Sequence, residues 1–350
     1  MASVRISPIG FVVIILLAGA VILYVQRSWK GESRENLKII EGAASLRQLL
    51  SAGIEAAERG GEEVKKVMEE HQLNEKSKGK TKEGVNNPVT DGDMRSHKAI
   101  VHSLKKTFPR LTVVSEEKEG DQEIDLSQVI ELDRMRTDVM FMIKEDEIVQ
   151  LEDVTVWIDP LDATKEYTEN LLQYVTTMVC VAVRGVPTIG IIHKPFKSGD
   201  KTVWAYVGKT LSSSLHTPVK KSVDELSSSP KIIVSRSHAG EVEKVAKESF
   251  GVKTTVIPAG GAGYKVWSLF EGDADAYIHT TLIKKWDICA GNALLSAAGG
   301  HMTTLKGEKI DYRWSPTSPD PKNEGGLLAT LWEHELFLKK LAPVVEDKKQ

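Results

Sequence analysis

The spacing of apolar and polar residues changes along the chain. Residues 6–25 (ISPIGFVVIILLAGAVILYV) form an uncharged, mostly apolar run of twenty. That is the length a helix needs to cross a bilayer. Over 37–59 the apolar positions recur at helical spacing, and Gly60-Gly61 predicts the stop. A second, charged helical stretch follows over 62–71. Residues 74–87 (NEKSKGKTKEGVNN) are polar and glycine-containing, a loop or a lid. The pattern then predicts a helix over 94–108, capped by Asp91 or Asp93, and a strand over 111–115. An acid-rich segment to residue 153 reads as an insertion before a strand at 154–158. Strands over 175–183 and 188–193 are joined across RGVP, and another covers 202–207.

The second half alternates more regularly. A strand at 231–235 precedes a helix at 241–250. A strand at 253–257 leads through PAGGAG to a helix at 264–271. A strand at 274–278 comes before a helix at 288–298. This is an α/β half beside a first half richer in antiparallel strands, with no internal repeat. The predicted organisation is a tail (1–5), a transmembrane anchor (6–25), a linker (26–36), one large domain (37–343) and a tail (344–350). No dense basic region precedes the apolar run and no small-x-small cleavage site follows it, so an uncleaved anchor is expected. Arg5 lies before the run and Arg27, Lys30 and Arg34 after it, which leans toward a cytosolic C-terminal side.

Composition narrows the function classes. Apolar residues make up 41% and charged residues 27%, ordinary for a globular protein. The net charge of −3 speaks against wrapping a nucleic-acid polymer, but leaves room for a local positive pocket. The two cysteines, Cys180 and Cys289, make neither a disulfide framework nor a zinc site. They are expected as two buried free thiols. The basic residues 76–82 read as a solvated linker in preference to a contributor to phosphate attraction, and Glu117 as a solvated neighbour of Glu116.

The candidate chemistry lies in the acids at element ends. Asp93 (TDGD) precedes a predicted helix, and Glu116 (SEE) follows a strand. Asp159 and Asp162 (WIDPLD) follow another strand, and Asp287 (WDICAG) precedes a helix. Strand ends converge on one rim of a sheet, so these acids can meet. Crowded carboxylates need cations, and magnesium takes oxygen ligands. Two such ions ~3.5–4 Å apart activate a water and stabilise a leaving oxygen. The helix that starts near Ala163 adds backbone N–H groups, a seat for phosphate. One Asp before a helix is ordinarily only a cap, and D-P-L-D alone is compatible with a turn. The four motifs together say more.

In this order and spacing, TDGD, SEE, WIDPLDAT and WDICAG resemble the signature of the inositol monophosphatase-like superfamily. The likeness extends over about 37–341. It implies a layered αβαβα phosphatase fold, two or three Mg²⁺ ions and inhibition by lithium. It makes Glu116, Asp159, the carbonyl of Leu161, Asp162 and Asp287 metal ligands. Asp93 and Thr164 become the pair that orients and deprotonates the attacking water. SRSHAG and IPAGGAGYK resemble substrate-side motifs of the branch acting on adenosine 3′,5′-bisphosphate. They make Ser235, His238, Gly261 and Lys265 substrate contacts, together with Asp162, Ala163 and Thr164. Ala163 stands where the superfamily has glycine.

The anchor, EKSKGKTKEG and IKKWDICAGNALLSAAGGHMTTL resemble the Golgi members of that branch, with the catalytic domain in the lumen, against the charge tally. The implied reaction is removal of the 3′-phosphate of adenosine 3′,5′-bisphosphate. Two alternatives stay open: an inositol phosphate phosphatase of the same fold, and an inactive, membrane-tethered metal-binding protein. Oligomeric state is not legible.

Overall fold

A computed structural model describes residues 42–80, 84, 86–120, 125–236, 242–317 and 319–347. The apolar run 6–25 and His238 lie outside the described residues. Among the described residues no helix is long and apolar enough to cross a membrane. One compact unit begins at Ser45.

After a short strand β1 (Ala43–Ser45), helix α1 spans Leu46–Glu69, with the Ser45 hydroxyl accepting the Gln48 N–H as its cap. The helix runs straight through Gly60-Gly61, where the sequence suggested a stop, and merges the two expected helices. The glycines serve packing instead. A Cβ on Gly60 would lie 2.5 Å from Ile100 Cδ1, and one on Gly61 would overlap His193. Both absences let α1 approach its neighbours, a use of glycine unrelated to helix termination.

A hairpin follows, β2 (Lys76–Lys80) and β3 (Asn86–Val89), then helix α2 (Asp91–Thr107) and strand β4 (Thr112–Ser115). The cap of α2 is Thr90, not Asp91 or Asp93. Asp93 sits at the third helical position and closes a capping box with Thr90. The acid-rich insertion contains α3 (Thr137–Met142) and β5 (Ile148–Gln150). Strand β6 (Val154–Asp162), helix α4 (Thr164–Thr168), and strands β7 (Thr176–Val183), β8 (Val186–His193), β9 (Thr202–Tyr206) and β10 (Thr210–Leu211) complete the first half. Their sheet has the order β10-β9-β8-β7-β6-β4 and is antiparallel except for β4 beside β6. Arg184 and Gly185, both at positive φ, make the tight turn from β7 to β8.

The second half contains α5 (Val223–Ser228), β11 (Lys231–Ser235), α6 (Val242–Phe250), β12 (Thr255–Ala259), α7 (Ala262–Glu271) and β13 (Ala276–His279). Then come β14 (Ile283–Lys284), α8 (Lys285–Ala297), β15 (His301–Thr303), β16 (Lys322–Asn323), β17 (Leu327–Thr330) and α9 (His334–Asp347). The second sheet has the order β12-β11-β13-β17-β15.

The layers stack as expected, αβαβα. Helices α1 and α2 cover the outer face of the first sheet, α7 and α8 fill the space between the sheets, and α6 and α9 cover the second. The second sheet is covered on both faces, so its strands are apolar on both sides. Ile233, Tyr277, Leu327 and Ala329 face the central core with Trp157 and Leu294. Ile232, Val234, Ile278 and Leu328 face Phe250 and Phe337 on the other side.

The cysteines overturn the sequence expectation. Cys180 of β7 and Cys289 of α8 form a disulfide across 109 residues, with Cα atoms 5.7 Å apart. Each is buried, as expected, but as one half of a bond between the first sheet and the central helix layer.

Candidate metal centre and substrate cavity

Strand β6 aims the first acids. Its pairing with β7 slips between Asp159, opposite Met178, and Asp162, opposite Thr176, so a bulge holds Pro160 and Leu161. Proline lacks the N–H that a regular ladder demands, and a bulge excuses it. Ser96 of α2 donates to the Pro160 carbonyl at 2.6 Å and pins this turn from below. The Leu161 N–H donates to Asp159 at 3.2 Å, and its carbonyl accepts from Thr164.

Glu116 follows β4, whose register beside β6 brings its end to the same rim. Asp287 sits in the first turn of α8, where its carboxylate accepts the Lys284 N–H at 3.1 Å. One ligand oxygen from each of Glu116, Asp159 and Asp287 lies within 4.8 Å of the others. An all-oxygen carboxylate set fits a hard divalent cation such as magnesium. Burial first, then the neighbouring carboxylates, push Asp159 and Asp287 well above the usual carboxylate range. A cation among them would remove that repulsion.

Asp162 lies beside the trio and has another task. Its two oxygens accept the N–H groups of Ala262 (3.1 Å) and Gly263 (2.8 Å) and the Thr176 hydroxyl (3.0 Å). It therefore caps α7, which is an attractive place for a carboxylate. Burial raises its pKa, while the ammonium of Lys265 and these N–H groups pull the other way.

Asp93 and Thr164 are in contact. The Thr164 hydroxyl lies 2.9 Å from Asp93 Oδ1, and Asp93 Oδ2 accepts the N–H and hydroxyl of Thr90. Burial raises the Asp93 pKa to about 7, against the Thr90 hydrogen bonds, with Glu116 and Glu117 adding to the rise.

Glu116, Asp159, Asp162, Thr164 and Asp287 line a cavity of about 550 Å³, a size suited to a small ligand, and Asp93 reaches it through Thr164. Ser235, Ala163, Gly261 and Lys265 line it as well. Ala163 has φ +70°, the left-handed region that glycine would fill without cost. Gly261 has φ +63°, and a Cβ there would lie 2.7 Å from the Tyr174 carbonyl. Lys265 is buried, and its ammonium donates to the Gly261 carbonyl. Burial lowers its pKa to about 8, against the pull of Asp162.

The sequence reading missed several residues. Lys78 is no solvated linker residue: it bridges Glu116, at 2.8 Å, and Glu117. Glu117 is correspondingly buried, not solvated. The run of lysines in 76–82 was the available signal. Nothing in the sequence marked Ser96 or Thr176, whose roles depend on tertiary neighbours.

Residues 45–346 match the model of the inositol monophosphatase family. The chain belongs to that family. An inositol monophosphatase 3 of Danio rerio is 46% identical over 360 residues, 99% of both chains. A Golgi-resident adenosine 3′,5′-bisphosphate 3′-phosphatase of Rattus norvegicus is 44% identical over 361 residues, 97% of each. The solved inositol monophosphatase of Anabaena shares the fold, with a TM-score of 0.57 at 19% identity, covering 85% of this chain and 96% of its own. Membership in the family fits the layered architecture and the acid cluster.

Proposed function

We propose that this chain is a magnesium-dependent phosphatase that removes the 3′-phosphate of adenosine 3′,5′-bisphosphate, giving AMP and phosphate. One observation carries the chemistry: the Thr164–Asp93 hydrogen bond beside the cluster of Glu116, Asp159 and Asp287. The substrate assignment is supported by the rat relative's name and near full-length likeness. Glu116, Asp159, Asp287, the Leu161 carbonyl and Asp162 would hold the two or three ions. When bound, magnesium supplies positive charge against the phosphate and lowers the pKa of water.

The chain's own residues do the rest. Thr164 passes its hydroxyl proton to Asp93 as it accepts one from the attacking water. An acceptor with a pKa of about 7 suits that task near neutrality. Asp162 fixes the N-terminus of α7, which holds Gly261 and Lys265 in the cavity wall. Ser235 stands at the end of β11 and, with His238, is assigned to the nucleotide.

Residues 6–25 are proposed as a single-pass anchor in the Golgi membrane, with the phosphatase domain in the lumen. There the enzyme would clear a by-product of sulfation. The Cys180–Cys289 bond supports this placement, since disulfides persist in oxidising compartments. Lithium, a hard cation of half the charge, should inhibit where sodium at equal concentration does not; equal effects would remove this proposal.

Phosphate release by the full chain on nucleoside bisphosphates and inositol phosphates, with magnesium, tests the assignment. A second reading, inositol phosphate hydrolysis, is favoured by the name of the Danio relative. Preference for inositol monophosphate in that panel would establish it. Magnesium binding without phosphate release would leave a vestigial site.

A further inference from the structure

The ribbon β14–β16 forms part of the wall of the same cavity. Its register sets Ile283 against Asn323 and Lys284 against Lys322. Directly opposed residues of an antiparallel pair share a face, and like charges there repel. Both lysines line the cavity that holds the acid cluster. Neither forms an ion pair among the described residues; the Lys284 ammonium lies 5.8 Å from the centre of the Trp286 ring, and its charge is felt by Asp287. Most other cations of that wall are committed. Lys78 is held by Glu116 and Glu117, Lys165 lies 4.0 Å from Glu169, and Lys265 donates to Gly261.

The ribbon is also well anchored. Asn323 is buried and donates to the Gly326 carbonyl at 2.7 Å, while the Lys285 N–H donates to Pro321 at 2.8 Å. The opposed charges are therefore built into a fixed backbone, and an anion between them would relieve the repulsion.

The scissile phosphate belongs at the acid cluster. A bisphosphorylated substrate brings a second dianion that the acids would repel. We infer that Lys284 and Lys322 form the subsite for the phosphate that is not hydrolysed, and so make the enzyme select bisphosphates over monophosphates. This rests on the proposed phosphatase reading and adds where selectivity resides.

The test uses the full chain with magnesium. The ratio of kcat/KM for adenosine 3′,5′-bisphosphate to that for 3′-AMP is measured in wild type and in Lys284→Ala/Lys322→Ala. The ratio should fall roughly ten- to hundredfold, the range for losing charge-assisted hydrogen bonds. Lys284→Arg/Lys322→Arg should restore most of it. AMP, which keeps the second phosphate, should also inhibit the alanine variant more weakly.

An unchanged ratio, or equal losses on both substrates, overturns the inference. Lys322 is exposed, so Lys322→Ala alone should fold if the double variant does not, and should show part of the fall. If wild type instead prefers inositol phosphates, the nucleotide reading fails. The ratio is then read between inositol 1,4-bisphosphate and inositol 1-phosphate, with the same outcomes for the lysine pair.

Discussion

The Thr164 hydroxyl and the Asp93 carboxylate, 71 positions apart, meet at 2.9 Å at the starts of two helices. That contact carries a proton path only if residue 164 keeps a hydroxyl. Thr164→Val should therefore lower kcat by ~10²–10⁴, the usual worth of general acid–base assistance, while Thr164→Ser keeps most of it. Steady-state kinetics on all three proteins decides. Equal loss in both variants would assign Thr164 to packing alone.

Asp162, proposed as a metal ligand, also holds the fold. Its carboxylate accepts two N–H groups at the head of α7 and faces the buried ammonium of Lys265. Asp162→Asn should lower turnover by at least ~10³-fold, equivalent to about 4 kcal/mol of barrier. It should also destabilise the fold by about 1–3 kcal/mol, the typical cost of losing hydrogen bonds to a buried charged group. Chemical denaturation in chelator separates the two effects. Near-normal turnover at saturating magnesium would take Asp162 out of the site.

Protons and magnesium should compete for the same carboxylates. Asp93, Asp159 and Asp287 have raised pKa values in the folded chain, so folding takes up protons above their unfolded range near pH 4. Their contribution to metal-free stability therefore falls as pH rises toward 7. Three buried histidines, His97, His193 and His334, are shifted down to about 4 by burial and act oppositely between about pH 4 and 6.5. The diagnostic quantity is thus the magnesium-dependent rise in Tm. It should be larger at pH 7.5 than at 5.5, because metal binding needs the ionised acids. A rise independent of pH would place the cation elsewhere.

The disulfide gives a test of topology. In Golgi vesicles, alkylation of the denatured, unreduced chain should find neither Cys180 nor Cys289 free, and protease should cut the domain only after detergent. Free thiols and cleavage before detergent would place it in the cytosol. In the purified chain, Cys180→Ser/Cys289→Ser should cost about 2–5 kcal/mol of stability. Denaturant unfolding in oxidising buffer measures it.

Much of this was legible in the sequence because local signals carried it. The strand-end acids, the alternation of the second half and the β7–β8 hairpin all follow from neighbours within a few positions. Gly60-Gly61 misled because a helix stop and a close helix crossing use the same residue; only Ile100 and His193 tell them apart. The cysteines misled for a similar reason. Two apolar contexts 109 residues apart do not reveal that β7 and α8 pack together. Asp162 reads as a ligand in its motif, but its role as cap to α7 depends on a helix one hundred residues later.

The acid cluster draws Glu116 and Asp159 from the first half and Asp287 from the second, on a helix held between the two sheets. During synthesis the first two are made long before the third. A ribosome-bound chain ending before residue 287 would carry only part of the cation trap. Acquisition of tight magnesium binding would therefore mark the moment when both halves have closed on each other, and truncated products would be poor competitors for the ion.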